Sequence, residues 1–248
     1  MLYPMSPKSP PPSPKPVPER VVLWDVDGTL VHTAGVGSEV FDEAINKALG
    51  RLPSERVRMG GKTDPQIVGE YLEMMGVGPD EQAGHVRAIL AHLEAGLAAE
   101  ASRITSDGHP MPGVPEVLRR LASDPKVIST LLTGNVAPNA VVKLAAFGLD
   151  HWVDFEAGAY GSDHADREQL VPVALDRIRR LQGVEIAPDD TWVVGDTPRD
   201  LACARAGGAR CLLVGTGSVS VAELRKLDAD EVLDDLADVD RVIKILMS

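Results

Sequence analysis

The sequence predicts an α/β protein: a mostly parallel sheet covered by helices on both faces, with a helical insert near the N-terminal side. Three observations carry this prediction. Short apolar runs, too brief for helices, recur along the chain and end in polar residues: VVLW (21–24), KVISTLLTG (126–134), TWVVGD (191–196) and RCLLVG (210–215). Segments with apolar residues at helical spacing stand between them. One long interval, from near Ala34 to near His109, has helical spacing throughout and no convincing strand.

The elements follow in chain order. Residues 1–18 hold eight of the 19 prolines, with Ser and Lys between them, and read as a disordered or polyproline-II tail with PxxP spacings. VVLW is a buried strand that ends at Asp25. Within the insert, 38–50, 64–76 and 79–102 read as helices. Residues 113–123 form the next helix, 126–134 a buried strand, 138–148 a helix and 151–159 (HWVDFEAGA) a strand. The helix expected over 167–183 carries Pro172 in its first turns, where the missing N–H is tolerated. Strand 191–196, helix 200–208 and strand 210–215 complete the alternation, and the remainder reads as helix, short strand and closing helix. Such alternation specifies a parallel sheet with both faces covered. GTGSVS (215–220) fits neither the P-loop nor the dinucleotide spacing and reads as a loop ending at a helix cap.

Composition narrows the function. A net charge of -12 argues against nucleic acid or an anionic membrane as partner, both of which need a basic footprint. Any anionic substrate must therefore be drawn by local positive groups. Aromatics are only 4%, so the core is aliphatic. The two cysteines, Cys203 and Cys211, lack metal-type spacing and read as buried thiols in a reducing compartment. No apolar run approaches the ~18 residues of a membrane span, and the N-terminus lacks a signal-peptide h-region. The expectation is a cytoplasmic enzyme, monomeric or homodimeric.

In open parallel sheets, ligands bind at the carboxyl ends of the strands. The residues that break the apolar runs fall there. Asp25 and Asp27 close the first strand; strand residues two apart point the same way, so both carboxylates are expected on one side. Thr133-Gly134-Asn135 closes a second strand, and Asp196, followed by Thr197-Pro198-Arg199-Asp200, closes a third. Four carboxylates together repel strongly unless a cation compensates them. A hard divalent ion with oxygen ligands is the natural solution, and magnesium suits a site that shares few carboxylates with a phosphate.

DVDGT, TGN, a basic residue and GDTPRD, in this order, resemble the motifs of the haloacid dehalogenase superfamily, in its phosphatase branch with a helical cap inserted after the first motif. The resemblance spans essentially all of 20–248, and PMPGVPEVLRRL (110–121) looks like the segment leading from cap to core in phosphoglycolate-phosphatase-like members. It implies a Rossmann-like three-layer core made of 19–33 and 110–248, with the cap at 34–109. It also implies that Asp25 is the nucleophile that forms an aspartyl-phosphate. Asp27 would protonate the leaving oxygen and then activate water. Backbone groups of the turn around Gly28 would cradle phosphate, with Thr133, Gly134 and Asn135 binding its oxygens. Asp25, Asp27, Asp196 and Asp200 would hold Mg2+.

The superfamily's third motif usually supplies a lysine, but no lysine lies between Lys143 and Lys226. The role passes to Arg167, which follows Asp166 (an N-cap candidate with Gln169 three residues on) at the start of a helix aimed at the site. Arg177, Arg179 and Arg180 fall later on that helix and read as solvated. In the insert, Lys62 follows two glycines just before a helix start, and is the candidate cap contact to substrate.

Two rivals use the same resemblance. Phosphonoacetaldehyde hydrolases form a Schiff base on a cap lysine, but their first motif typically lacks the second aspartate, as does that of the haloacid dehalogenases. A sugar-phosphate mutase shares all four motifs. A rival of another class is a non-catalytic phosphate-binding or scaffold protein, which would have no need of both Asp25 and Asp27. The reading is a magnesium-dependent phosphatase for a small phosphorylated metabolite, phosphoglycolate being the first guess.

Overall fold

The structure, a computed structural model, describes residues 16–248; the expected tail at 1–18 lies outside them except for 16–18. Six parallel strands form one sheet in the order β5-β4-β1-β6-β7-β8. The central strand β1 (Arg20–Trp24) lies between β4 (Val127–Thr133) and β6 (Thr191–Gly195). Beyond β6 come β7 (Arg210–Val214) and β8 (Glu231–Leu233), and beyond β4 comes the two-residue β5 (Ala159–Tyr160).

Alternation within β1 decides the layers. Val22 and Trp24 enter the core on one face, with Leu118 and Leu121 of α5 (Val114–Ala122) and Val242 and Leu246 of α10 (Val239–Leu246). Val21 and Leu23 enter the core on the other, with Ala174 and Ile178 of α7 (Leu170–Gln182) and Cys203 and Ala204 of α8 (Pro198–Ala206). A strand buried on both faces must read as a continuous apolar run, as VVLW does. The three-layer arrangement follows from that pattern.

Between β1 and α5 the chain leaves the sheet. β2 (Val31–His32) and β3 (His109–Pro110) pair antiparallel, and four helices lie between them. These are α1 (Val36–Leu49), α2 (Asp64–Met74), α3 (Pro79–Ala99) and α4 (Ala101–Asp107). They bury a core of their own around Phe41, Ile45, Tyr71, Leu72, Ile89 and Leu93. Among the described residues no helix is long and apolar enough to cross a membrane.

One expected element differs. The segment read as a strand over 151–159 is a 3-10 turn at Asp150–Trp152, then a loop, with only Ala159–Tyr160 in the sheet. Asp154 explains the loss: its Oδ1 accepts the N–H groups of Glu156 and Ala157, at 3.0 and 3.2 Å. A side chain that captures backbone donors in this way competes with the ladder. The helix expected from 167 also starts with a 3-10 turn, Arg167–Gln169, capped by Asp166, whose Oδ1 accepts from the N–H of Glu168.

Candidate active site

The carboxyl ends of β1, β4 and β6 open into a cavity of about 290 Å³ that the helical insert covers. Asp25 follows β1 directly, and its N–H donates to the carbonyl of Val194 on the neighbouring strand at 2.9 Å. Its carboxylate is almost fully buried. One guanidinium nitrogen of Arg167 lies 2.9 Å from Asp25 Oδ1 and 2.6 Å from Asp200 Oδ1. The arginine expected to replace the missing lysine thus reaches the site and bridges two acids.

Asp200 has a second task. Its Oδ2 accepts from the N–H and hydroxyl of Thr197, at 3.0 and 2.7 Å, as the third residue of a capping box that starts α8. Asp196, at the end of β6, accepts a hydrogen bond from the hydroxyl of Thr29 at 3.3 Å. Gly28, at φ +82°, holds the turn in between: a Cβ there would stand 2.8 Å from Asp196 Oδ2. Only glycine takes both that conformation and that approach.

Asp25, Asp196 and Asp200 each offer a carboxylate oxygen within 4.8 Å of the others. Burial pushes the Asp25 carboxyl up to about 6; Arg167 opposes the rise, and Asp200 adds to it. For Asp196, burial first, and then repulsion by Asp25 and Asp200, lifts the carboxyl to about 8. Arg167 is held more firmly protonated than usual: burial works against its charge, but Asp200 and Asp25 outweigh it. Three buried acids beside one arginine leave excess negative charge, and an all-oxygen donor set suits a hard cation.

The Asp27 carboxylate stands apart from this triad. Its carboxylate bonds Lys143 Nζ through both oxygens, at 2.8 and 2.6 Å, and accepts from Asn135 Nδ2 at 2.8 Å. The reason lies in the backbone. β1 ends at Trp24, so the strand alternation that would align Asp25 with Asp27 has already stopped. Both side chains still line the cavity.

Thr133, Gly134 and Asn135 lie at the end of β4, on the cavity wall. Thr133 Oγ1 accepts from Asn135 Nδ2 at 2.8 Å. Gly134 touches the insert: a Cβ there would stand 2.0 Å from the carbonyl oxygen of Lys62, and the Gly134 carbonyl accepts from the Asp64 N–H at 2.8 Å. Lys62 lines the cavity from the insert side, and its ammonium pairs with Glu70.

Three cavity residues escape the sequence reading. Lys143, on α6 (Ala137–Ala145), enters it only as the edge of a lysine-free interval, yet it is buried against Asp27 and Asn135, whose Oδ1 it meets at 2.6 Å. Asn139 lies one helical turn before it and is also buried. Two polar residues four apart, on the same face as Ala140 and Leu144, were the available signal. Asp64, in the first turn of α2, is buried too, and its Oδ2 accepts from the Val136 N–H at 2.8 Å.

The chain is 26% identical over 232 residues to phosphoglycolate phosphatase 1 of Pseudomonas aeruginosa, covering 89% of this chain and 78% of that protein. It is 28% identical over 224 residues to a phosphoglycolate phosphatase of Rhodospirillum rubrum, covering 88% of each. Its fold matches a crystal structure of CbbY from Rhodobacter sphaeroides in complex with phosphate, with a TM-score of 0.64, 20% identity, and 89% and 96% of the two chains covered. The family model of the haloacid dehalogenase-like hydrolases matches residues 19–208, and the chain is a hydrolase of that family.

Proposed function

We propose that this hydrolase is a magnesium-dependent phosphomonoesterase that turns over a small phosphorylated metabolite through an aspartyl-phosphate on Asp25. The observation that carries the reading is the setting of Asp25: a buried carboxylate on the cavity floor, between Arg167 and the Asp196–Asp200 pair, with the tethered Asp27 close by. The names of the two phosphatase relatives support the same chemistry and make phosphoglycolate the first substrate to assay.

An Asp25 oxygen attacks phosphorus while the bond to the leaving oxygen breaks, and Asp27 delivers the proton that makes the leaving group an alcohol. Asp27 then takes a proton from the water that attacks phosphorus, the bond to Asp25 breaks, and inorganic phosphate is released. Lys143 and Asn135 hold Asp27 in place for both transfers. Thr133 and the backbone of Gly134 and Asn135 bind phosphate oxygens, as does the turn at Gly28, and Arg167 neutralises charge beside Asp25. Asp25, Asp196 and Asp200 would hold Mg2+, which supplies charge neutralisation at the phosphoryl group. Residues 19–33 and 110–248 act as core, and 34–109 as a cap whose Lys62 faces the leaving group. The two free, buried cysteines support a cytoplasmic, reducing location.

Asp25→Asn is expected to abolish magnesium-dependent hydrolysis of p-nitrophenyl phosphate and to leave the circular dichroism spectrum unchanged. Turnover at the wild-type rate would refute the mechanism. Asp27 favours C–O–P hydrolysis over imine chemistry, since the hydrolases that form a Schiff base on a cap lysine typically lack this second aspartate. Borohydride trapping of an imine at Lys62 would reverse that order.

A further inference from the structure

We infer that the cavity selects phosphate esters of short, uncharged alcohols, with an apolar stem and one further hydroxyl, over substrates that carry a second anionic group. The inference rests on the phosphatase reading and names the leaving group that reading leaves open. Its first support is the charge inventory. Among the described residues, three basic side chains line the cavity, and each is already committed. Lys62 pairs with Glu70, Lys143 with Asp27, and Arg167 with Asp25 and Asp200. Asp64 adds a further carboxylate to the wall. A divalent cation on the acidic triad would be engaged by the phosphate itself. A carboxylate or second phosphate on the leaving group would therefore sit among acids without a partner, which is strongly unfavourable in a buried site.

The second support is the wall above the floor. Phe41, Ile67, Leu93 and Leu97, from α1, α2 and α3, line the cavity and are at most 4% exposed. Such a surface gains from contact with CH2 groups and offers nothing to an ion. A cavity of about 290 Å³ falls at the small end of ligand sites, which suits a stem of a few carbons.

The third is Asn139. It lines the same cavity, is 2% exposed, and its Oδ1 has no hydrogen-bond partner among the described residues. Buried amide oxygens are rarely left so, and a hydroxyl on the leaving group would satisfy this one. The neutral amide can recognise that hydroxyl without adding charge.

The test compares kcat/KM with magnesium for propanediol monophosphate, n-propyl phosphate and phosphoglycolate, with p-nitrophenyl phosphate as the general phosphatase probe. Propanediol monophosphate is expected to exceed n-propyl phosphate about tenfold, the value of one hydrogen bond, mostly through KM. Both are expected to exceed phosphoglycolate by about tenfold or more. In Asn139→Leu the preference for the diol ester over the plain ester is expected to collapse towards unity. Phosphoglycolate as the best of the three, or an unchanged diol preference in Asn139→Leu, would overturn the inference and leave the phosphatase reading standing. Failure to hydrolyse any ester, p-nitrophenyl phosphate included, would overturn both.

Discussion

Asp64→Asn is expected to stabilise the protein, and to do so only above about pH 4. Asp64 is buried at the first turn of α2, with its Oδ2 on the Val136 N–H. Burial pushes its carboxyl from 3.8 up to about 6, against the opposing pull of Lys143 and of that N–H. An acid raised on folding keeps its proton between those two values while the unfolded chain has lost it. Stability is therefore greatest in acid, falls as pH rises from about 4, and has lost the full amount once pH passes the folded value. The interval from 3.8 to about 6 corresponds to about 3 kcal/mol, at about 1.4 kcal/mol per pH unit. Asparagine keeps an acceptor for Val136 and has no charge to bury. The variant and the wild type should therefore melt together near pH 4 and separate towards pH 8, where the variant gains up to roughly 6–12 °C in a domain of this size. Every other titrating group is common to both proteins and cancels in the difference. Thermal melts from pH 4 to 8 decide the matter. A difference that does not change with pH, or a variant less stable at pH 8, would show that the Asp64 charge is not the strained element.

Two further outcomes test the site. Lys143→Met removes the buried cation that holds both oxygens of Asp27; kcat for p-nitrophenyl phosphate is expected to fall about 100-fold, within the range of general acid–base catalysis, with the helical signal retained. An unchanged kcat would exclude Lys143 as the residue that positions Asp27. Burial and the neighbouring acids raise the Asp196 carboxyl to about 8, so a proton occupies the acidic triad in the metal-free protein at neutral pH. Magnesium binding there would displace it, and the affinity is expected to rise up to about tenfold per pH unit between pH 6 and 8 with measurable proton release. Calorimetry in buffers of different ionisation enthalpy reads both quantities, and a pH-independent affinity would argue against the triad as the binding site.

The parts of the site that were legible in the sequence are those where a polar residue interrupts an apolar strand. Asp25, Thr133 and Asp196 each end a run whose burial on both faces leaves the strand end as the place where polarity can surface. Helices give no such signal. Lys143 has no mark of its own in the sequence; α6 packs between the sheet and the insert, with Val142 and Ala146 against the insert's core and Ala140 and Leu144 in the core beneath the sheet. Its burial is a tertiary fact. Asp27 shows a different limit: the two-residue period of a strand was extended past the point where the strand stops, and the side chain turned to α6 instead. The missing strand at 151–159 has a local cause in Asp154, since the apolar residues alternated well enough but their N–H groups had a nearer acceptor.

The same short stretch that serves the chemistry also seats the insert. Within residues 133–143, Gly134 accepts from the Asp64 N–H, the Val136 N–H donates to the Asp64 carboxylate, and Lys143 holds Asp27. On the opposite side, Thr63 donates to the Ala165 carbonyl at 2.5 Å, and Arg167, which neutralises Asp25, reaches the Gly61 carbonyl at 3.4 Å. The loop 61–64 is thus clamped between the segment that holds Asp27 and the one that pairs with Asp25. Glycine at 134 makes the clamp close, because any side chain there would strike the backbone of Lys62. Opening the insert would break hydrogen bonds at Gly134, Val136 and Arg167 together, in the two segments that carry the partners of Asp27 and Asp25. Asn135 and Lys143, which brace Asp27, both lie outside the insert, so opening it uncovers the cavity without itself removing either bond.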